Sequence, residues 1–132
     1  GHRVTASNAT IRQTIYDAVG DLSGVNRYMY PPESIQVPAV VVAGLDMKRA
    51  TYEGGRESSA TILVVVSHSD AEQLETLDRL LDVGDGSIMT ALDATTEVDG
   101  VSLAWDSAGS YGEVQWNGVA YYGAVITAKV WT

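Results

Sequence analysis

The chain contains no cysteine and only two histidines. A disulfide framework, a thiolate nucleophile and a cysteine zinc site are therefore excluded, and little is left for other metal chemistry. No cofactor is expected. Long apolar runs are also missing: PAVVVAGL and TILVVVS fall far short of the ~20 residues needed to cross a bilayer, and no charged-then-apolar leader opens the chain. The expectation is a protein that neither spans a membrane nor retains a secretion signal. Gly1-His2 reads as a cloning remnant and is set aside.

Bases are scarce as well, eight against seventeen acids, for a net charge of −9. The imbalance is local. Residues 70–106 hold ten acids (Asp70, Glu72, Glu75, Asp78, Asp82, Asp85, Asp93, Glu97, Asp99, Asp106) against the single base Arg79, and the rest of the chain is formally neutral. Such a segment repels phosphate backbones and does not suit tight nucleic-acid binding. Its plainer role is solubility. What is present in quantity is apolar: 45% hydrophobic and 19% charged residues over 132 positions describe one folded domain, residues 1–132, able to bury roughly two thirds of its unfolded surface.

Ile11, Ile15, Ala18, Val19 and Leu22 recur at helical spacing, with Ser7 or Asn8 as cap, and predict a helix over about residues 8–20. All three prolines lie in YPPESIQVP, an extended connector from Tyr30 to Pro38, preceded by a short strand in Val25–Tyr30. AVVVAGL and ATILVVVS read as central strands buried on both faces. Between them, DMKRATYEGGRES reads as a projecting arm or long hairpin at 46–57.

Ser69 and Glu72 have capping-box spacing for a second helix with Leu74, Leu77, Leu80 and Leu81 as its stripe, and Ser87 can cap a short third one. In the last third Val101, Leu103 and Trp105 alternate with polar partners, and Asn117-Gly118 joins two strands in a hairpin. On the closing strand one face, Ala120 to Val130, is a core face. The other carries Val119, Tyr121, Gly123, Val125, Thr127, Lys129 and Trp131, too apolar for open water and too mixed for a core, and calls for cover by a helix or another subunit. The fold class is α+β: a mostly antiparallel or mixed sheet, an N-terminal helix, a middle helix pair packed on the sheet, and a closing hairpin.

Catalytic patterns do not accumulate. In Ser67-His68-Ser69-Asp70 the residues alternate direction along a strand end, and capping accounts for them better than a triad. DVGDG lacks the spaced oxygens of a calcium loop, and Gly54-Gly55 lacks the following Lys-Ser/Thr of a phosphate loop. The expectation is a protein that is not an enzyme.

YPPESIQVPAVVV, ILVVVSHSDAEQLETLDRLLDVGDGSI and YGEVQWNGVAYYGAVITAKVWT, in this order, resemble the tail terminator (tail completion) proteins of long-tailed bacteriophages, in the forms found in phages and prophages of actinobacteria. The resemblance implies a small α+β domain that forms a hexameric ring with copies of itself, caps the tail tube protein, ends tube polymerisation and offers a surface to the head-tail connector protein. DNA would be met only in transit, no membrane is involved, and the location would be the head-proximal end of the virion tail after assembly in the host cytoplasm. Lys48, Arg49, Arg56, Val119, Tyr121, Val125 and Trp131 are the expected subunit or tube contacts. Glu72, Glu75 and Asp82 are the expected channel-lining acids. A neck or head-closure protein is the alternative within the same biology, and a small bacterial α+β ligand-binding or enzyme domain the alternative outside it.

Overall fold

The computed structural model describes residues 8–21, 24–47, 57–67, 70–82, 87–95, 101–108 and 112–131. Helix α1 (Asn8–Ala18) runs into a 3₁₀ turn (Val19–Asp21) and buries Ile11, Ile15 and Val19, the stripe that its spacing predicts. Thr14 is buried within that stripe at no polar cost, because its hydroxyl donates to the Thr10 carbonyl at 2.8 Å.

Six strands form one mixed sheet. Strand β1 (Asn26–Tyr28) pairs parallel with β2 (Ala39–Met47), β2 pairs antiparallel with β3 (Glu57–Val66), and β3 pairs antiparallel with the long β6 (Val119–Trp131). Strands β4 (Ser102–Ala108) and β5 (Gly112–Trp116) both pair antiparallel with β6. Tyr122 and Gly123 pair with β3 and β5 at once, and Ile126 to Trp131 with β3 and β4. Strands β4 and β5 therefore share one edge of β6, end to end, and β3 holds the other. The β5–β6 turn is Asn117 at φ 50° and Gly118 at φ 81°, the left-handed pair that matches the twist of a two-residue hairpin.

Helices α1, α2 (Ala71–Leu80) and α3 (Ile88–Asp93) cover one face. There Ile11, Ile15, Val40, Val42, Ile62, Val64, Leu77, Leu80, Ile88, Leu92, Ile126 and Val130 form the main core. At roughly 1.5–3 kcal/mol for each fully buried side chain, this layer dominates the hydrophobic stabilisation. Ser87 caps α3 as its position predicts, accepting from the Thr90 amide at 3.1 Å. The cap of α2 is Asp70 rather than Ser69: its carboxylate accepts from the amides of Glu72 and Gln73 at 3.0 and 3.4 Å. A carboxylate at a helix N-terminus adds its charge to the capping bond. His68 and Ser69 lie outside the described residues, as do Gly84 and Gly86.

Two-sided burial holds for β2 over Ala39–Val42, but in β3 only from Val64 to Val66, because Thr61 and Leu63 are half-covered on the side away from the helices. The alternation expected through Trp105 is broken by a bulge between Trp105 and Ser107, and Trp105 sits at the sheet margin, exposed. Ala120, expected in the core, is exposed because β6 overruns β3 near the hairpin tip.

Candidate functional site

The helix-free face of the sheet divides in two. Over β2, β3 and β5 lies the proline-rich connector, which places Ile35 and Val37 against Ala39, Val41, Leu63, Val65, Val114, Trp116 and Tyr121. The indole N–H of Trp116 donates to the Pro32 carbonyl at 2.9 Å, the Gln36 amide donates to the Tyr28 hydroxyl at 3.1 Å, and the Asn26 side-chain amide donates to the Gln36 carbonyl at 2.9 Å. Prolines suit a segment lying flat on a sheet face, since it has no ladder to join and proline has no N–H to leave unpaired. The cover expected from a helix or another subunit is thus supplied, over this half, by the chain's own connector.

The other half stays open. Val125 and Trp131 are 41% and 43% exposed there, beside the half-buried Thr127 and Lys129 on β6 and Thr61 on β3. Lys129 Nζ stands 4.0 Å from Asp106 Oδ1, an exposed pair worth little in water. Val119 is 51% exposed at the hairpin end, whereas Tyr121 is drawn into the connector cluster. Thirteen residues of extended strand from Val119 to Trp131 span about 40 Å, so the four expected contact residues form no single patch. Val125 and Trp131 lie six positions, about 20 Å, apart at the two ends of an open strip that also holds Thr127 and Lys129, and Val119 belongs to the tip.

Strand pairing runs out to Met47 opposite Ser58, so Asp46, Met47 and Glu57, expected in the arm, belong to the strands, and the rest of the expected arm, 48–56, lies outside the described residues. Small polar residues at Ser58 and Ser59 let the ladder continue past the β-branched run. Lys48, Arg49 and Arg56 lie outside the described residues. At this end of the sheet Glu57 faces Trp131 and Trp131 faces Ser102.

Glu72 and Glu75 are exposed on α2 and Asp82 just beyond it, while Leu77 and Leu80 hold the opposite side of the helix in the core. The acids and the open strip from Val125 to Trp131 therefore face opposite sides of the molecule. Among the described residues, no group of three or more His, Cys, Asp or Glu is placed to hold a metal ion, and no helix is long and apolar enough to cross a membrane.

Two arginines escape sequence reasoning. Arg12 Nη1 donates to the Met29 and Val42 carbonyls, both at 2.7 Å, with its guanidinium 4.6 Å from the Tyr30 ring centre. Arg27 donates to the Tyr16 carbonyl at 2.8 Å and lies 4.1 Å from that ring's centre. Helix α1 thus offers Arg12 and Tyr16 one turn apart to Tyr30 and Arg27, a crossed pair of cation–π contacts that ties the helix to β1. The available signal was an arginine and a tyrosine four apart beside an apolar stripe. No protein-family model matches the chain, and no curated protein matches it.

Proposed function

We propose that this chain is a non-enzymatic phage assembly protein that sits as a ring on the head-proximal end of a tail tube, ends tube growth and offers the head connector a surface. The observation that carries the reading is the two-sided surface: an uncovered strip of β6 with exposed Val125 and Trp131 at its ends on one side of the sheet, and the acids Glu72, Glu75 and Asp82 on the other. Sides of different chemistry suit a subunit that meets protein on one side and turns a DNA-repelling charge elsewhere. The resemblance of the sequence stretches, in their order, to tail terminators supplies the biological context, and the bases Lys48, Arg49 and Arg56 supply a charge opposite to that of the acidic helix.

Electron microscopy of purified tail tubes mixed with the chain tests this. Rings at one tube end, with tube length no longer increasing when free tube protein is added, are expected. Tubes that keep growing with bare ends would sink the reading. Binding to the head portal with no affinity for tubes would move the chain to the neck.

A further inference from the structure

Edge strands are templates for another strand, and folded proteins ordinarily block them. The edge of β4 is blocked: the Leu103 amide donates to the Thr95 carbonyl at 3.0 Å and the Trp105 amide to Asp93 Oδ1 at 3.3 Å, and the bulge at Asp106 follows. The first part of β2 is covered by β1 opposite Ala39, Val40 and Val41, and Arg12 takes the next outward carbonyl, that of Val42. Beyond that point, among the described residues, nothing pairs with the outer side of Ala43–Met47. Nothing among them pairs with the outer side of Gly112–Trp116 either, since β5 meets only β6. Strand β1 is also unpaired on its outer side but is only Asn26–Tyr28, so among the described residues the two longer open stretches, of equal length, lie on opposite edges of one sheet.

We propose that these two edges pair with each other between copies, β5 of one subunit adding to the distal half of β2 of the next. This rests on the ring reading and names its subunit interface. Directions fit: β2 runs with β6 and against β5, so copies following one another in the same orientation join antiparallel, with their helices on the same side. Such a contact is head-to-tail, the kind that generates rings when its rotation closes.

Face matching restricts the register. Asp46 and Gly44 lie on the helix-free face, opposite Ser59 and Thr61, and so do Gly112, Val114 and Trp116. An added Cβ at Gly44 would meet nothing within 4 Å, so this position has room for Val114 of the next copy to lie across it, a β-branched neighbour beside a strand glycine, which sets Asp46 opposite Gly112.

The absence of native cysteine makes the test direct. Asp46→Cys and Gly112→Cys are prepared separately, checked for folding by circular dichroism, and treated at the highest soluble concentration with a short bismaleimide, alone and mixed. Asp46 is exposed, and a Cβ at Gly112 meets nothing within 4 Å, so both variants are expected to fold. The mixture is expected to give a cross-linked heterodimer, each variant alone no cross-linked species, and the double variant a ladder. Homodimers from either variant alone would show that like edges pair and overturn the head-to-tail join, as would a mixture that does not cross-link. A ladder from a protein that ignores tail tubes would keep this interface and remove the tube-capping role. Capped tubes without the cross-link would do the reverse.

Discussion

Trp116 and Pro32 stand 84 positions apart in sequence and are joined by one hydrogen bond of 2.9 Å from indole N–H to carbonyl. The bond fixes the connector before β2 to the strand before the closing turn, and so fixes how much of the sheet's helix-free face meets water. Trp116→Phe keeps an aromatic ring and removes the donor. It is expected to cost about 1 kcal/mol, the net worth of a hydrogen bond, in urea denaturation, with larger losses for Trp116→Ala. Equal stability for all three proteins would show that the connector is not held there.

Gly123 is buried where β6 passes β3, and a Cβ at this position would collide with the Val64 carbonyl oxygen. Neither strand can yield without breaking its ladder. Gly123→Ala is expected to destabilise by about 1–3 kcal/mol, as overpacked cores do, whereas Gly44→Ala, with open space around it, stays within about 0.5 kcal/mol. Thermal denaturation of the two variants side by side checks the contrast.

Arg12→Met retains much of the aliphatic stem and leaves the Met29 and Val42 carbonyls without their shared donor. A loss of about 1.5–3 kcal/mol is expected. Arg12→Lys should recover only part of it, since a lysine can donate from its one nitrogen but lacks the planar guanidinium that stacks on Tyr30. Hydrogen exchange at β1 amides should rise in the methionine variant before exchange in β3 does.

Reversal of Lys48, Arg49 and Arg56 to Glu is expected to leave the melting temperature nearly unchanged and to abolish tube capping. Capping retained at low and high salt would remove these bases from the contact.

Changing Glu72, Glu75 and Asp82 to Lys is expected to preserve rings, because all three are exposed and the helix is held by Leu77 and Leu80. If these acids line the channel, DNA ejection slows in the variant, most at low salt, where phosphate contacts are strongest. Unchanged ejection at low salt would put α2 on the outer rim.

Legibility in the sequence followed the range of the interaction. The Asn117-Gly118 turn, the Ser87 cap and the stripe of α1 are set by neighbours within a few residues, and all three are present. Ser69 and Asp70 are adjacent capping residues, and choosing between them requires the path of the chain out of β3. Nothing local marks Trp116 for Pro32, so the cover over Tyr121 could not be read, nor could the order of strands. At the candidate site, alternation along β6 located Val125 and Trp131 on an exposed face, because period-two patterning reports orientation. It could not report that Val119 and Tyr121 meet different surroundings, which depends on where β3 stops and β5 begins.

Strand β6 is the sixth strand in sequence order but an interior strand of the sheet, bonded to β3 on one side and to β4 and β5 on the other. On the ribosome, β1, β2 and β3 can gather early, but β3 has no second neighbour and β4 none at all until residues 119–131 emerge. The sheet is therefore completed only once β6 has emerged, and a chain cut short before β6 exposes the Ile62 and Val64 row of its core, a target for chaperones and proteases.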